Sequence, residues 1–137
     1  MKKTITILML TTGLFAANVF ADTAVIVNKS NTNSLTQKEV SKIFLGKKKS
    51  YGDGSQVLPV ALEEGNSVRA SFNSTITKKN ESQLKAYWSK LVFTGKGTPP
   101  KQVSEADVIK LVAENPATIG YVDSSKVDDS VKVLFTF

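Results

Sequence analysis

Residues 57–72 read VLPVALEEGNSVRASF: an apolar run, a glycine-centred polar turn, and the start of an amphipathic helix. Val57 to Leu62 is short, apolar and bounded by polar residues, which predicts a buried strand. Pro59 has no N–H to give a ladder, so this strand is expected at a sheet edge or irregular at that point. Gly65-Asn66-Ser67 supplies turn and capping residues, and Val68, Phe72 and Ile76 then recur at helical spacing. A strand that hands over to a helix within a few residues is a unit of layered α/β architecture.

The same alternation continues on both sides. Towards the N-terminus, Ala24 to Asn28 (AVIVN) is rich in β-branched residues and reads as another buried strand. After a polar loop from Lys29 to Ser34, Thr36 with Glu39 forms the T-x-x-E signature of a helix start. Val40, Ile43 and Phe44 form its apolar face, and Gly46 is placed to end it in the left-handed region. Lys47 to Ser55 is turn-rich, with Gly52-Asp53-Gly54 at its tip. Towards the C-terminus, Asn80 with Gln83 opens a helix carrying Leu84, Tyr87, Trp88 and Leu91 on one face. Thr94 to Lys101 reads as a loop. Ser104 with Asp107 begins another helix, with Val108, Leu111 and Val112 inward, and Asn115-Pro116 stops it. Ile119 to Val122 and Val131 to Phe137 are the last two strands. The expected fold class is α/β, a mixed central sheet flanked by helices.

The first residues set the compartment. Met1-Lys2-Lys3 is a short positive segment, Ile5 to Phe15 is mostly apolar, and Val19-Phe20-Ala21 presents a cleavage site. The apolar stretch falls short of the roughly 20 residues that a spanning helix needs. Residues 1–21 are therefore expected to be a signal peptide cleaved after Ala21, and residues 22–137 one periplasmic or secreted domain with no integral membrane segment. Loss of Lys2 and Lys3 with the leader lowers the formal charge of +6 by two. A mildly basic exported protein suits anionic small molecules better than nucleic acid, since its aromatics are not interleaved with its basic residues.

The chain has no cysteine and no histidine. Disulfides, thiol chemistry, imidazole general-base catalysis and the usual zinc and haem ligands are all closed to it. Glu105, Asp107 and Asp128-Asp129 lack the spacing of a calcium loop. The reading is a binding module without a cofactor, not an enzyme.

Taken in order, AVIVN, LTQKEVSKIFLGK, a YGDG turn, VLPV, EEGNSVRASF, YWSKLVFTGKGTPP and PATIGYVD resemble the second lobe of phosphate-binding proteins of ABC transporters. The resemblance runs from Ala24 to about Val133. It is strongest to the short, stand-alone group described as phosphate transporter substrate-binding-like proteins. It implies one lobe of a type II periplasmic-binding-protein-like fold, and a ligand that is phosphate or another small oxyanion. Full-length relatives hold the ligand between two such lobes. A single lobe leaves three options open: weak binding, closure of a cleft by a homodimer, or service as an adaptor that docks an envelope or periplasmic protein.

In the resembling family a short Gly/Ser loop opening a helix presents N–H groups and hydroxyls to phosphate. The first turn of a helix has unpaired N–H donors and a partial positive charge. Gly65, Asn66 and Ser67 stand at that place, and Arg69, the only arginine of the chain, follows on the same turn. These four are the candidate ligand contacts. The competing reading is ordinary capping by Asn66 or Ser67, with Arg69 paired to Glu63 or Glu64. Three further signals have plain explanations. Lys47-Lys48-Lys49 reads as a solvated loop. Trp88 with Tyr87 reads as helix packing. Gly95-Lys96-Gly97-Thr98 lacks the spacing of a nucleotide phosphate loop.

Overall fold

A computed structural model describes residues 22–137. The expected signal peptide, residues 1–21, lies outside the described residues. Among the described residues five strands form one sheet in the order β3-β2-β4-β1-β5. They are β1 (Thr23–Asn28), β2 (Leu58–Leu62), β3 (Lys101–Val103), β4 (Thr118–Asp123) and β5 (Val131–Thr136). β1 runs antiparallel to β4 and β5, while β2 runs parallel to β3 and β4, so the sheet is mixed. β1 is buried along its whole length, as its unbroken apolar run requires of a strand covered on both faces.

Among the described residues four α-helices connect the strands: α1 (Gln37–Phe44), α2 (Ser67–Phe72), α3 (Glu81–Phe93) and α4 (Glu105–Glu114). Each begins where the sequence signals it. The side chains of Thr36, Asn66, Asn80 and Ser104 accept hydrogen bonds from first-turn N–H groups, and Asn80 with Gln83 completes the reciprocal box. The ends of α1 and α3 share one device. Gly46 donates its N–H to Ile43 and Lys47 donates to Lys42; Gly95 donates to Val92 and Lys96 to Leu91. Both glycines have positive φ, +72° and +68°, which is the Schellman ending.

Three details differ from the sequence expectation. β2 is an interior strand, not an edge, yet Pro59 fits it. The Leu58 N–H points to Ala117 on the β4 side, so position 59 faces the β3 side, and β3 begins only opposite Val60. Residues 101–103 form a short strand at the margin of the segment read as loop. The helix begun at Ser67 does not run regularly through Ile76: after Phe72 it widens into a π-helical turn (Asn73–Thr77), which Lys78 ends in the left-handed region at φ 56°.

Helix α4 lies tightly on β4. A Cβ at Gly120 would stand 2.5 Å from Val108 Cγ1 and 3.2 Å from Val60 Cγ2. Gly120→Ala is expected to cost about 1–3 kcal/mol through overpacking, read by urea denaturation. A change near zero would mean that α4 shifts freely on the sheet.

Candidate functional site

The turn after β2 carries three of the four candidate contacts. Gly65 sits at φ +86° with open space where a Cβ would be, so its positive φ, not crowding, selects glycine. The Asn66 N–H closes the turn onto the Glu63 carbonyl at 3.2 Å. The Asn66 Oδ1 accepts from the Val68 N–H at 2.8 Å and the Arg69 N–H at 3.3 Å, which is the capping role. Gly65 and Ser67 are exposed. Among the described residues, neither their N–H groups, nor the Ser67 hydroxyl, nor the Asn66 side-chain amide N–H finds an acceptor.

Arg69 is buried, and all three of its guanidinium nitrogens have partners. Nε donates to Glu81 Oε1 at 2.5 Å, Nη2 to Glu81 Oε2 at 2.9 Å, and Nη1 to the Leu62 carbonyl at 2.8 Å. Its acidic partner is therefore Glu81, twelve residues on, and neither Glu63 nor Glu64. The π-turn and the left-handed Lys78 reverse the chain and bring the first residue of α3 against the guanidinium. The bidentate pair holds the Glu81 carboxyl below the usual carboxylate range and holds Arg69 above its ordinary value. Asn73 Nδ2 also donates to Glu81 Oε1, at 3.3 Å. Sequence reading missed Glu81 because its only local signal, an acidic residue in the first turn of a helix, is fully explained by the helix dipole.

Beside Arg69 lies a cleft of about 640 Å³ between α3, the end of β2 and the start of α2. Its floor is aromatic. The Phe72 and Tyr121 rings stack with centroids 3.8 Å apart and planes 4° from parallel. The buried Tyr121 hydroxyl accepts the Leu62 N–H at 3.2 Å, and burial pushes its pKa up to about 12, so it remains a neutral phenol at physiological pH. The arrangement has a cation and a carboxylate already joined, neutral donors on the adjoining turn and apolar walls. It suits recognition better than catalysis. Among the described residues no group of three or more His, Cys, Asp or Glu stands ready for a metal ion, and no helix is long and apolar enough to cross a membrane.

No protein-family model matches the chain. Solved structures do. A phosphate ABC-type transport receptor from Vibrio cholerae superposes with a TM-score of 0.65 at 21% identity, covering 83% of this chain and 46% of that one. A Clostridium perfringens structure, described as a phosphate ABC transporter substrate-binding protein with bound phosphate, gives 0.64 at 25% identity, covering 83% and 45%. PstS from Borrelia burgdorferi gives 0.61 at 14% identity, covering 84% and 47%. The chain thus spans about half the length of each. These neighbours are named for transport and binding, not for catalysis. Residues 22–137 have the α/β fold of a single lobe of phosphate ABC transporter substrate-binding proteins.

Proposed function

We propose that the chain is an extracytoplasmic solute-binding protein, exported by a leader ending at Ala21, that recognises phosphate or another small oxyanion. Gly65, Asn66, Ser67 and Arg69 form its contact. The observation that carries this reading is the set of donors without acceptors among the described residues at the β2–α2 turn: two backbone N–H groups, the Ser67 hydroxyl and the Asn66 amide. They gather at the start of a helix, where partial positive charge favours an anion. Arg69 keeps one N–H on each Nη beyond the bonds it makes. Lys85 stands 3.3 Å from Glu64 and offsets the negative charge beside the turn. The likeness to a phosphate-bound structure at 25% identity supports the same ligand class.

Thermal melting against phosphate, sulfate, arsenate and chloride tests the reading. A ligand at one hundred times its dissociation constant stabilises the fold by about 2.7 kcal/mol, which raises the midpoint measurably. A saturable shift with phosphate and none with chloride is expected. Ser67→Pro is the informative variant. Proline at the first helical position removes the N–H and hydroxyl together, and the extended Asn66 backbone already suits a following proline. Its own melting point should hold while the phosphate shift falls, with affinity lower by about 1.5–3 kcal/mol.

A second reading, a single-lobe adaptor that docks an envelope protein, has one observation in its favour. Phe93 is 92% exposed and Val92 52%, side by side at the end of α3. The absence of any anion-dependent shift at millimolar concentration would favour the adaptor.

A further inference from the structure

At the other end of β2 from the Gly65–Ser67 turn lies a second open cleft, of about 680 Å³. That volume falls within the range of about 300–1,000 Å³ typical of small-molecule sites. Leu58, Pro59 and Val60 of β2 line this cleft, and it shares Trp88, Val92, Pro99 and Pro100 with the cleft beside Arg69, but none of Gly65, Asn66, Ser67 and Arg69 borders it. Three signals with separate plain explanations in the sequence meet here: the lysine run, Trp88 and the Gly95–Thr98 turn. The Schellman endings bring them together, because each folds the chain leaving its helix back over the indole. A Cβ at Gly46 would stand 3.0 Å from Trp88 Cη2, and one at Gly97 3.5 Å from Trp88 Cζ3.

The lining has two halves of different chemistry. Lys48, Lys49, Lys96 and Lys101 border it, and no carboxylate among the described residues does. Lys48 is bridged to Glu39 at 3.5 Å; Lys49, Lys96 and Lys101 make no ion pair among the described residues. Helix C-termini carry partial negative charge, which a lysine in or just past the last turn offsets. Lys49 and Lys101 stand beyond those turns and leave the cleft with excess positive charge. Between the lysines the surface is apolar: Leu58 is 40% exposed, and Pro59, Val92 and Pro99 stand around the buried Trp88. Apolar surface left wet in a concavity gains free energy when a ligand covers it, and the lysine border attracts negative charge.

We propose that this cleft binds a free anionic amphiphile: a single alkyl or aryl body carrying a carboxylate or phosphate. The apolar body lies along Leu58 and Trp88, and the anion meets Lys49, Lys96 and Lys101. Lysine ammonium groups are point charges without the planar fork of arginine, so the site selects negative charge and an apolar body and not the geometry of one headgroup. The site is independent of the oxyanion turn, and either stands without the other.

Trp88 is the only tryptophan of the chain, so its emission reports on the clefts it borders. The full chain is titrated with decanoate and decyl phosphate below their aggregation limits. Decanol, decyltrimethylammonium, inorganic phosphate and phosphatidylglycerol vesicles are the controls. A saturable spectral change with the two anionic amphiphiles alone is expected. The double variant Lys49→Glu/Lys101→Glu, both positions exposed, should weaken it about tenfold or more while melting as the parent does. Trp88 also borders the cleft beside Arg69, so Lys85→Glu, on that other cleft, should leave the response unchanged. An equal response to decanol, binding to vesicles without binding of monomers, or indifference to the double charge reversal overturns the proposal. Loss of the phosphate melting shift with retention of this response would overturn the oxyanion reading alone.

Discussion

Phe72→Ala is expected to destabilise the fold by about 3–5 kcal/mol, the range for emptying a buried aromatic site. Phe72 is 1% exposed at the end of α2 and stacks on Tyr121. Phe44 meets its edge at a centroid distance of 4.7 Å, and Phe137 approaches at 6.4 Å. Truncation therefore removes contacts to a helix, the central β4 and Phe137 together. Little can collapse into the space, since Tyr121 is held by its bond to the Leu62 N–H. Phe72→Leu keeps most of the volume and should cost about 1–2 kcal/mol. Urea denaturation of both variants checks the ordering. A cost below about 1 kcal/mol for the alanine would show that α2 and the Gly65–Ser67 turn before it settle onto the sheet without this ring.

Removing Glu81 is the second large effect. Glu81→Ala leaves the buried Arg69 guanidinium with one carbonyl partner in place of a bidentate carboxylate. Loss of one partner of a buried pair is strongly destabilising, but the Glu81 side chain is 36% exposed, so water restores part of the loss. The expected cost is about 2–3 kcal/mol.

Acid titration gives the same pair a second signature. The folded-state pKa of Glu81 is depressed, so its contribution is present in full above the unfolded carboxyl value of about 4.3 and is lost as pH falls through the lower folded value. Asp53, Asp123 and Asp128 are held low in the same way by the serines two residues on, so the parent protein loses stability in acid from several groups. The difference between parent and Glu81→Gln isolates one of them. It should be constant above about pH 5 and shrink below pH 4. A difference independent of pH would mean that the pair makes no net electrostatic contribution to folding.

Legibility followed the range of the interactions. The helix starts at Thr36, Asn66, Asn80 and Ser104 and the glycine ending at Gly46 close their hydrogen bonds within a few residues, so local pattern suffices to find them. Gly65, Asn66 and Ser67 were legible as a turn and cap for the same reason. β3 was not legible, because Lys101 and Gln102 are exposed and become a strand only by pairing with β2. The interior place of Pro59 escaped notice because it depends on where β3 starts. The partner of Arg69 depends on a π-turn and a left-handed lysine, neither of which has a residue signature of its own.

By itself the sequence determined the α/β class, the four helices and every strand but β3, the capping residues and the closure of cysteine and histidine chemistry, since these rest on periodicity, local hydrogen bonds and composition. Only the tertiary structure decided that Arg69 answers to Glu81, that Pro59 sits inside the sheet, and that three unremarkable segments converge on one basic, apolar cleft, because each joins residues that share no local hydrogen bond and meet only when the sheet is assembled.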